Sequence, residues 1–322
     1  MNTSSQVQKI RKKDTLTSFY GVGLLLIIAV VIWTIFKILT PSNFGSVDNL
    51  YYYLQSSIIY SVGACGLYFI IVMGLFDFSI GANIILSGIV GAVLSKHFGY
   101  AGLVLGCMLC GTLIGFLNGV IYIKLKIPSM IVTVGLMLIY ESIASFVGQG
   151  SEQSLDKSLQ WFGYAPGNII LAALAFVIAQ IFLKYTKIGT YCYAIGSNEM
   201  STKNMGINVN IYKLRGFVLM HFLIGIMAIL VVSYGSSIRA ITGMASMDYN
   251  FTPMMGCFFG MAFKKFNIPI LAIIIGEFII SLLFNGFIAL GAPTTIQNVI
   301  TGLVLLVVVA LTIKHTKGAV IK

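Results

Sequence analysis

Residues 19–39, FYGVGLLLIIAVVIWTIFKIL, form a 21-residue apolar run interrupted only by Thr34 and Lys37. An α-helix rises about 1.5 Å per residue, so about 20 such residues cross the hydrocarbon of a bilayer. The run is too long for the core of a cleavable signal and shows no small-x-small cleavage site. It is therefore expected to be a retained membrane anchor. The segment before it, MNTSSQVQKIRKKD, is polar and basic, and residues 1–18 read as a cytoplasmic N-terminus.

The rest of the chain has the same character. Of its 322 residues 58% are apolar and 9% are charged, and the mean hydropathy is +0.97. A soluble domain carries roughly 25% charged residues. A water-soluble fold of this length would have too little polar surface to cover its core. That excludes a cytosolic enzyme, a disordered chain and a nucleic-acid-binding protein. The 34 glycines suit close helix packing in lipid. Further apolar spans are expected at 50–73, 81–95, 101–123, 128–147, 167–183, 216–236, 250–263, 269–290 and 296–313. The fold class is an all-α polytopic membrane protein with about ten transmembrane helices, some short or broken. The short ones are 81–95 and 250–263.

The charges test this layout. With both ends inside, the cytoplasmic segments are 1–18, 74–80, 124–127, 184–215, 264–268 and 314–322. They hold all of the 20 cations except Lys37, Lys96, Lys157 and Arg239. Lysine and arginine concentrate in cytoplasmic loops, so the net charge of +11 reports topology rather than nucleic acid. A weak internal echo links Lys124–Pro128 with Lys265–Pro269, each Pro being followed seven residues later by Gly135 or Gly276.

Two connections are long. The outer loop 148–166 carries two acids and Trp161. The inner loop 184–215 has five cations and invites structure of its own. Within it, SNEMSTKNMG reads as a short helix. Ser197 or Asn198 caps it, Glu199 suits its first turn, and Gly206 ends it. Lys203, Lys213 and Arg215 are expected to face lipid headgroups. A cytoplasmic helix between two spans is a surface for a soluble partner, with a plain solvated connector as the alternative.

No catalytic constellation is legible. His97, His221 and His315 have no Cys, Asp or Glu at ligand spacing, so no metal is expected. Cys107 and Cys110 form an isolated C-x-x-C inside an apolar run, where helix packing is the plain reading. No G-x-x-x-x-G-K-[ST] is present, so ATP is not bound through a P-loop. Ionisable groups within spans are few, and each is a pathway candidate. These are Glu141 and Glu277, with Asp77 between two spans. For Glu141 and Glu277 a buried interhelical hydrogen bond is an equal alternative, and for Asp77 the bland reading is a cap for the next helix. Asn83, Asn118 and Asn285 could line a path for a hydroxyl-rich solute, since an amide both donates and accepts. Their bland reading is helix-to-helix bonding.

Several stretches carry a family pattern. GLFDFSIGANIILSG (74–88) is similar to G-G-x-D-L-S-V-G-x-x-x-x-x-S-G, at Asp77, Ser79, Gly81, Ser87 and Gly88. In 115–135, Gly115, Asn118, Gly119, Lys124, Ile127, Pro128, Thr133 and Gly135 fit G-x-x-N-G…K-x-x-I-P-x-F-I-x-T-L-G. In 189–209, Gly189, Ala194, Ile195, Gly196, Asn198, Gly206, Ile207 and Val209 fit G-x-x-x-x-A-I-G-x-N-x-x-A-A-x-x-x-G-I-x-V. Asn285, Gly286, Gly291, Gln297 and Gly302 fit a final N-N-G…G…Q…G spacing. The chain resembles the permease subunits of ribose-type ABC sugar importers over about residues 50–313. Two departures stand out: Glu141 falls where the family pattern has Arg, and GMAFKKFN (260–267) replaces a Gly-rich turn.

The resemblance implies a permease domain over 19–313 in the cytoplasmic membrane of a prokaryote, not an enzyme, with a short cytoplasmic tail at 314–322. It implies a second permease copy or paralogue, ABC ATPase subunits on the inner loops, and an extracytoplasmic sugar-binding protein. It implies no cofactor on this chain, ATP and Mg being held by the ATPases. The docking residues would be Gly196, Ser197, Asn198, Glu199, Lys203 and Gly206. A different class, an H⁺- or Na⁺-coupled secondary transporter, would use Glu141 and Glu277 as coupling groups.

Overall fold

The computed structural model describes residues 3–293, 295–296, 299–300, 302–303 and 306–307. Over the described residues up to Ala289 the α-helices are, in order, α1 (Thr3–Leu39), α2 (Val47–Ile71), α3 (Ile80–Leu125), α4 (Ser129–Val147), α5 (Gly167–Tyr185), α6 (Lys187–Ser197), α7 (Glu199–Asn204), α8 (Val209–Gly235), α9 (Asp248–Ala262) and α10 (Pro269–Ala289). A two-residue antiparallel pair joins β1 (Gln153–Ser154) to β2 (Ser237–Ile238), with Gln153 opposite Ile238.

Seven of these helices are long and apolar enough to cross a membrane. Three facts relate this number to ten expected spans. First, α3 is 46 residues long but leaves helical geometry at Gly99, with φ 56° and ψ −138°. Only glycine adopts such a conformation without strain. A Cβ built at Gly106 would lie 3.0 Å from the Cα of Gly91. In a straight helix those two residues would be about 22 Å apart. The two arms of α3 therefore fold back on each other, and they are the expected spans 81–95 and 101–123. Second, α9 has only 15 residues and contains Pro253, about 22 Å of helix, too short to cross alone. Third, the expected span 296–313 and the tail 314–322 lie largely outside the described residues. The helix of the first span, α1, begins at Thr3, within the basic N-terminal stretch.

The chain divides into two units. One comprises Met1–Ser57 and Met255–Lys322. There α1 and α10 meet through aromatic rings, with the Phe36 centroid 5.1 Å from Phe287 and 5.5 Å from Phe44. Leu25, Ala29, Phe263, Ile279 and Leu282 complete this core.

The other unit is Ile58–Met254. Its spine is the second arm of α3 lying against α8. Gly111, Gly115 and Gly119 recur every fourth residue and face the backbone of α8. A Cβ at Gly111 would stand 2.7 Å from the His221 carbonyl, and one at Gly115 would stand 2.7 Å from the Phe217 carbonyl. Lipid tails are as apolar as side chains, so membrane helices associate by such close packing and by hydrogen bonds.

Candidate functional site: a polar junction at a broken helix

Segment 72–79, VMGLFDFS, separates α2 from α3 and has no regular structure of its own. The sequence reading made 74–80 a cytoplasmic connection. Within it Asp77 and Ser79 are fully buried. Irregular backbone in such a place needs partners for its N–H groups, and the fold supplies them from afar. Phe76 N–H donates to Ser129 Oγ and Phe78 N–H to Thr133 Oγ1, both 3.0 Å, from the first turns of α4. Gly81 N–H donates to Asn250 Oδ1 at 2.7 Å, and Asn250 Nδ2 returns a bond to the Phe78 carbonyl. The cap of α3 is thus Asn250 rather than Asp77. Asp77 closes only a local turn, its Oδ1 accepting from Ser79 N–H at 2.7 Å.

The free capacity of Asp77 goes into a side-chain network. Its Oδ1 accepts from Ser79 Oγ at 2.6 Å, and its Oδ2 accepts from Asn118 Nδ2 and His221 Nε2, both at 2.9 Å. His221 Nδ1 accepts from Asn83 Nδ2 at 2.6 Å, and Asn83 Oδ1 accepts from Ser87 Oγ at 2.6 Å. Asn118 Nδ2 also reaches Ser79 Oγ, while Asn118 Oδ1 accepts from Tyr140 Oη at 2.7 Å. Asn118 Nδ2 also lies 3.1 Å from His221 Nε2, so the amide, the imidazole and Ser79 crowd around one carboxylate. The Nε2–H tautomer of His221 donates to the carboxylate and accepts from an amide, so no charge is left unpartnered.

This junction joins both arms of α3, α4, α8 and the broken segment. It unites three expected pathway residues, Asp77, Asn83 and Asn118. It adds His221 and Tyr140, which the sequence reading had not selected. A lone ionisable side chain inside a span was the available signal for His221. Its partner lies 144 residues away in the chain, so ligand-type spacing could not reveal it. The two amides are engaged by other side chains, Asn83 by His221 and Ser87, and Asn118 by Asp77, Ser79 and Tyr140.

The remaining candidates lie elsewhere. Glu141 is buried and ties a loop, accepting from Met244 N–H and Ser246 N–H, each at 3.0 Å. Glu277 and Asn285 belong to the other unit. The Glu277 carboxyl is buried against Gly256, where a Cβ would come within 2.1 Å of Oε1, and neither oxygen has a hydrogen-bond partner among the described residues. Asn285 Nδ2 donates within its own helix to the Ser281 carbonyl at 2.8 Å.

The loop 184–215 folds as two short helices, one more than the single helix expected over Gly196–Gly206. Ser197 ends α6, and Asn198 is extended and caps α7 by accepting from Ser201 N–H at 2.9 Å. Glu199 stands in the first turn of α7, Lys203 in its last, and Gly206 has φ 80°. Lys213 does not face headgroups. It is buried on α8 and pairs with Glu199 of α7 at 2.9 Å.

Residues 49–309 match the family described as branched-chain amino acid transport system / permease component. The ribose import permease protein RbsC of Escherichia coli strain K12 is 28% identical over 301 residues, covering 89% of this chain and 91% of that protein. The L-arabinose transport system permease protein AraH of the same organism is 28% identical, covering 76% of each chain. Its galactofuranose transporter permease protein YtfT is 26% identical, covering 76% of this chain and 74% of that one. No solved structure matches. The chain belongs to the family of branched-chain amino acid transport system permease components, as a multi-pass membrane transport subunit.

Proposed function

We propose that this chain is the permease subunit of an ATP-binding-cassette importer that brings a sugar, a pentose or hexose, across the cytoplasmic membrane. The observation that carries the reading is the likeness to a ribose import permease along nearly the whole of both chains. The amino acids in the family description give way to sugars because these relatives are ribose, arabinose and galactofuranose permeases by name. Two permease subunits would enclose one path, ATPases holding ATP and Mg²⁺ would dock on α6 and α7, and an extracytoplasmic binding protein would deliver the sugar.

Support for the docking surface comes from exposure and shape. Met200 and Met205 on α7 and the turn after it are exposed, 66% and 67%. The cation-coupled alternative is weakened at Glu141, whose carboxylate is engaged by two backbone donors.

The test is uptake in cells that express the chain with its ATPase and binding protein. Labelled ribose, arabinose and allose are offered in parallel with leucine. ATP-dependent entry of a sugar is expected, and entry of leucine alone would overturn the reading. In the same cells Met200→Cys should react with an impermeant thiol reagent only after permeabilisation.

A further inference from the structure

We propose that Asp77 and His221 are a positioning pair that makes α8 and the broken segment 72–79 move together when the loop helices α6 and α7 are displaced. This rests on the reading that ATPases dock on those helices. Two contacts lead from the loop to the junction. At the first, Gly196 of α6 lets backbone meet backbone: a Cβ there would lie 1.7 Å from the Val72 carbonyl oxygen, at the start of the broken segment. At the second, Glu199 of α7 holds Lys213 of α8 at 2.9 Å, two turns before His221 on the same helix.

Displacing α6 therefore pushes segment 72–79, and displacing α7 pulls α8. Within the segment Gly74 sits at φ 78° with open space where a Cβ would be, at the turn that ends α2. The segment is also tied to α4 by Ser129 and Thr133. Without another tie it would stay with α4 when α8 moves. The bond from His221 Nε2 to Asp77 Oδ2 at 2.9 Å supplies that tie. It is buried and charge-assisted, so it resists sliding in a way that apolar contacts do not. A rigid-body shift at the loop would reach both arms of α3 through Asn83 and Asn118, which grip the same imidazole and carboxylate. Coupling of this kind needs an element with two arrangements, and the break between α2 and α3 is that element.

The experiment uses the whole complex (permease, ATPases and binding protein) in proteoliposomes. Sugar taken up per ATP hydrolysed is measured with a mixture of labelled ribose, arabinose and allose. His221→Leu complexes that still hold their ATPases are expected to move at least fivefold less sugar per ATP. His221→Gln, which can keep an N–H toward Asp77, should stay within twofold of wild type. Gly196→Ala, at the other end of the path, should lower the same ratio. The double variant Gly196→Ala/His221→Leu should depart from the product of the two single losses, because α6 and His221 act on the same segment. A wild-type ratio in either single variant, or losses that multiply in the double, would overturn the proposal. If His221→Leu does not assemble, Gly196→Ala decides alone. A wild-type complex that moves none of these sugars, or moves them without ATP, fails before any variant is read, and that failure belongs to the function itself.

Discussion

Asp77 and Glu277 are both buried carboxyl groups in apolar surroundings, at 0% and 1% exposure, and the chain treats them in opposite ways. Asp77 receives four donors from Ser79, Asn118 and His221. Glu277 lies against Gly256 with neither oxygen bonded among the described residues. A buried polar group costs free energy unless it is paired. In the Ile58–Met254 unit that cost is offset by a network that ties several helices at one point. Around Glu277 no such set of donors converges among the described residues. Sequence alone presents the two as equivalent intramembrane acids. What separates them is how many donors the fold brings within 3 Å.

The largest effect expected from this contrast is at Asp77. Asp77→Ala leaves His221 Nε2, Asn118 Nδ2 and the Ser79 groups without their acceptor. Removing one partner of a buried pair costs about 3–5 kcal/mol. Thermal unfolding of the purified subunit should show that loss, and a loss under about 1 kcal/mol would mean that the junction contributes little to stability.

Glu141 gives an intermediate case. Glu141→Leu orphans two backbone N–H groups, each worth about 1–3 kcal/mol if left buried and unbonded, whereas Glu141→Gln keeps an acceptor. Unfolding temperatures should rank wild type, Gln and Leu in falling order. Equal values for Gln and Leu would show that the loop at Met244–Ser246 does not depend on this side chain.

At Glu277 the sign reverses. Glu277→Met removes an unpaired buried carboxyl while keeping much of its volume, so stability should hold or rise by about 1 kcal/mol. A clear loss instead would reveal a partner for Glu277 in the assembled transporter, and the contrast with Asp77 would collapse.

The smallest effect is expected at the pair on the docking loop. Glu199 is half-exposed and Lys213 is buried. A pair open to solvent on one side contributes about 0.2–1 kcal/mol. Glu199→Gln should therefore leave the unfolding temperature nearly unchanged. A shift as large as that of Asp77→Ala would show that α7 is held as firmly as the core.

Much of the scaffold was legible in the residues. The runs near 19–39, 128–147, 167–183 and 269–290 became helices because length and apolar content leave a chain in lipid few options. Asn198, Glu199 and Gly206 were readable as a cap, a first turn and a left-handed end, since those preferences are local. The other short helix of the loop, α6, was not read from the residues, since an 11-residue stretch between a span and a cap carries little local signal of its own. The partner of Lys213 was missed for a related reason. The lysine looked free for headgroups until α7 folded back to place Glu199 beside it.

The amino-acid sequence by itself determined the solvent, the number of long apolar segments, and the four-residue glycine spacing at 111, 115 and 119 that lets two helices touch. These are properties of neighbours along the chain, and they follow from hydrogen-bond satisfaction and side-chain volume within a segment. Only the tertiary structure decided what the buried polar groups do. It seated Gly81 on the Ser246 carbonyl, gave the cap of α3 to Asn250, and set Asp77 against His221 from 144 residues away. A hydrogen bond holds over about 3 Å. Whether two distant groups meet within that range depends on the depth and rotation of every helix between them, and no local pattern encodes that sum.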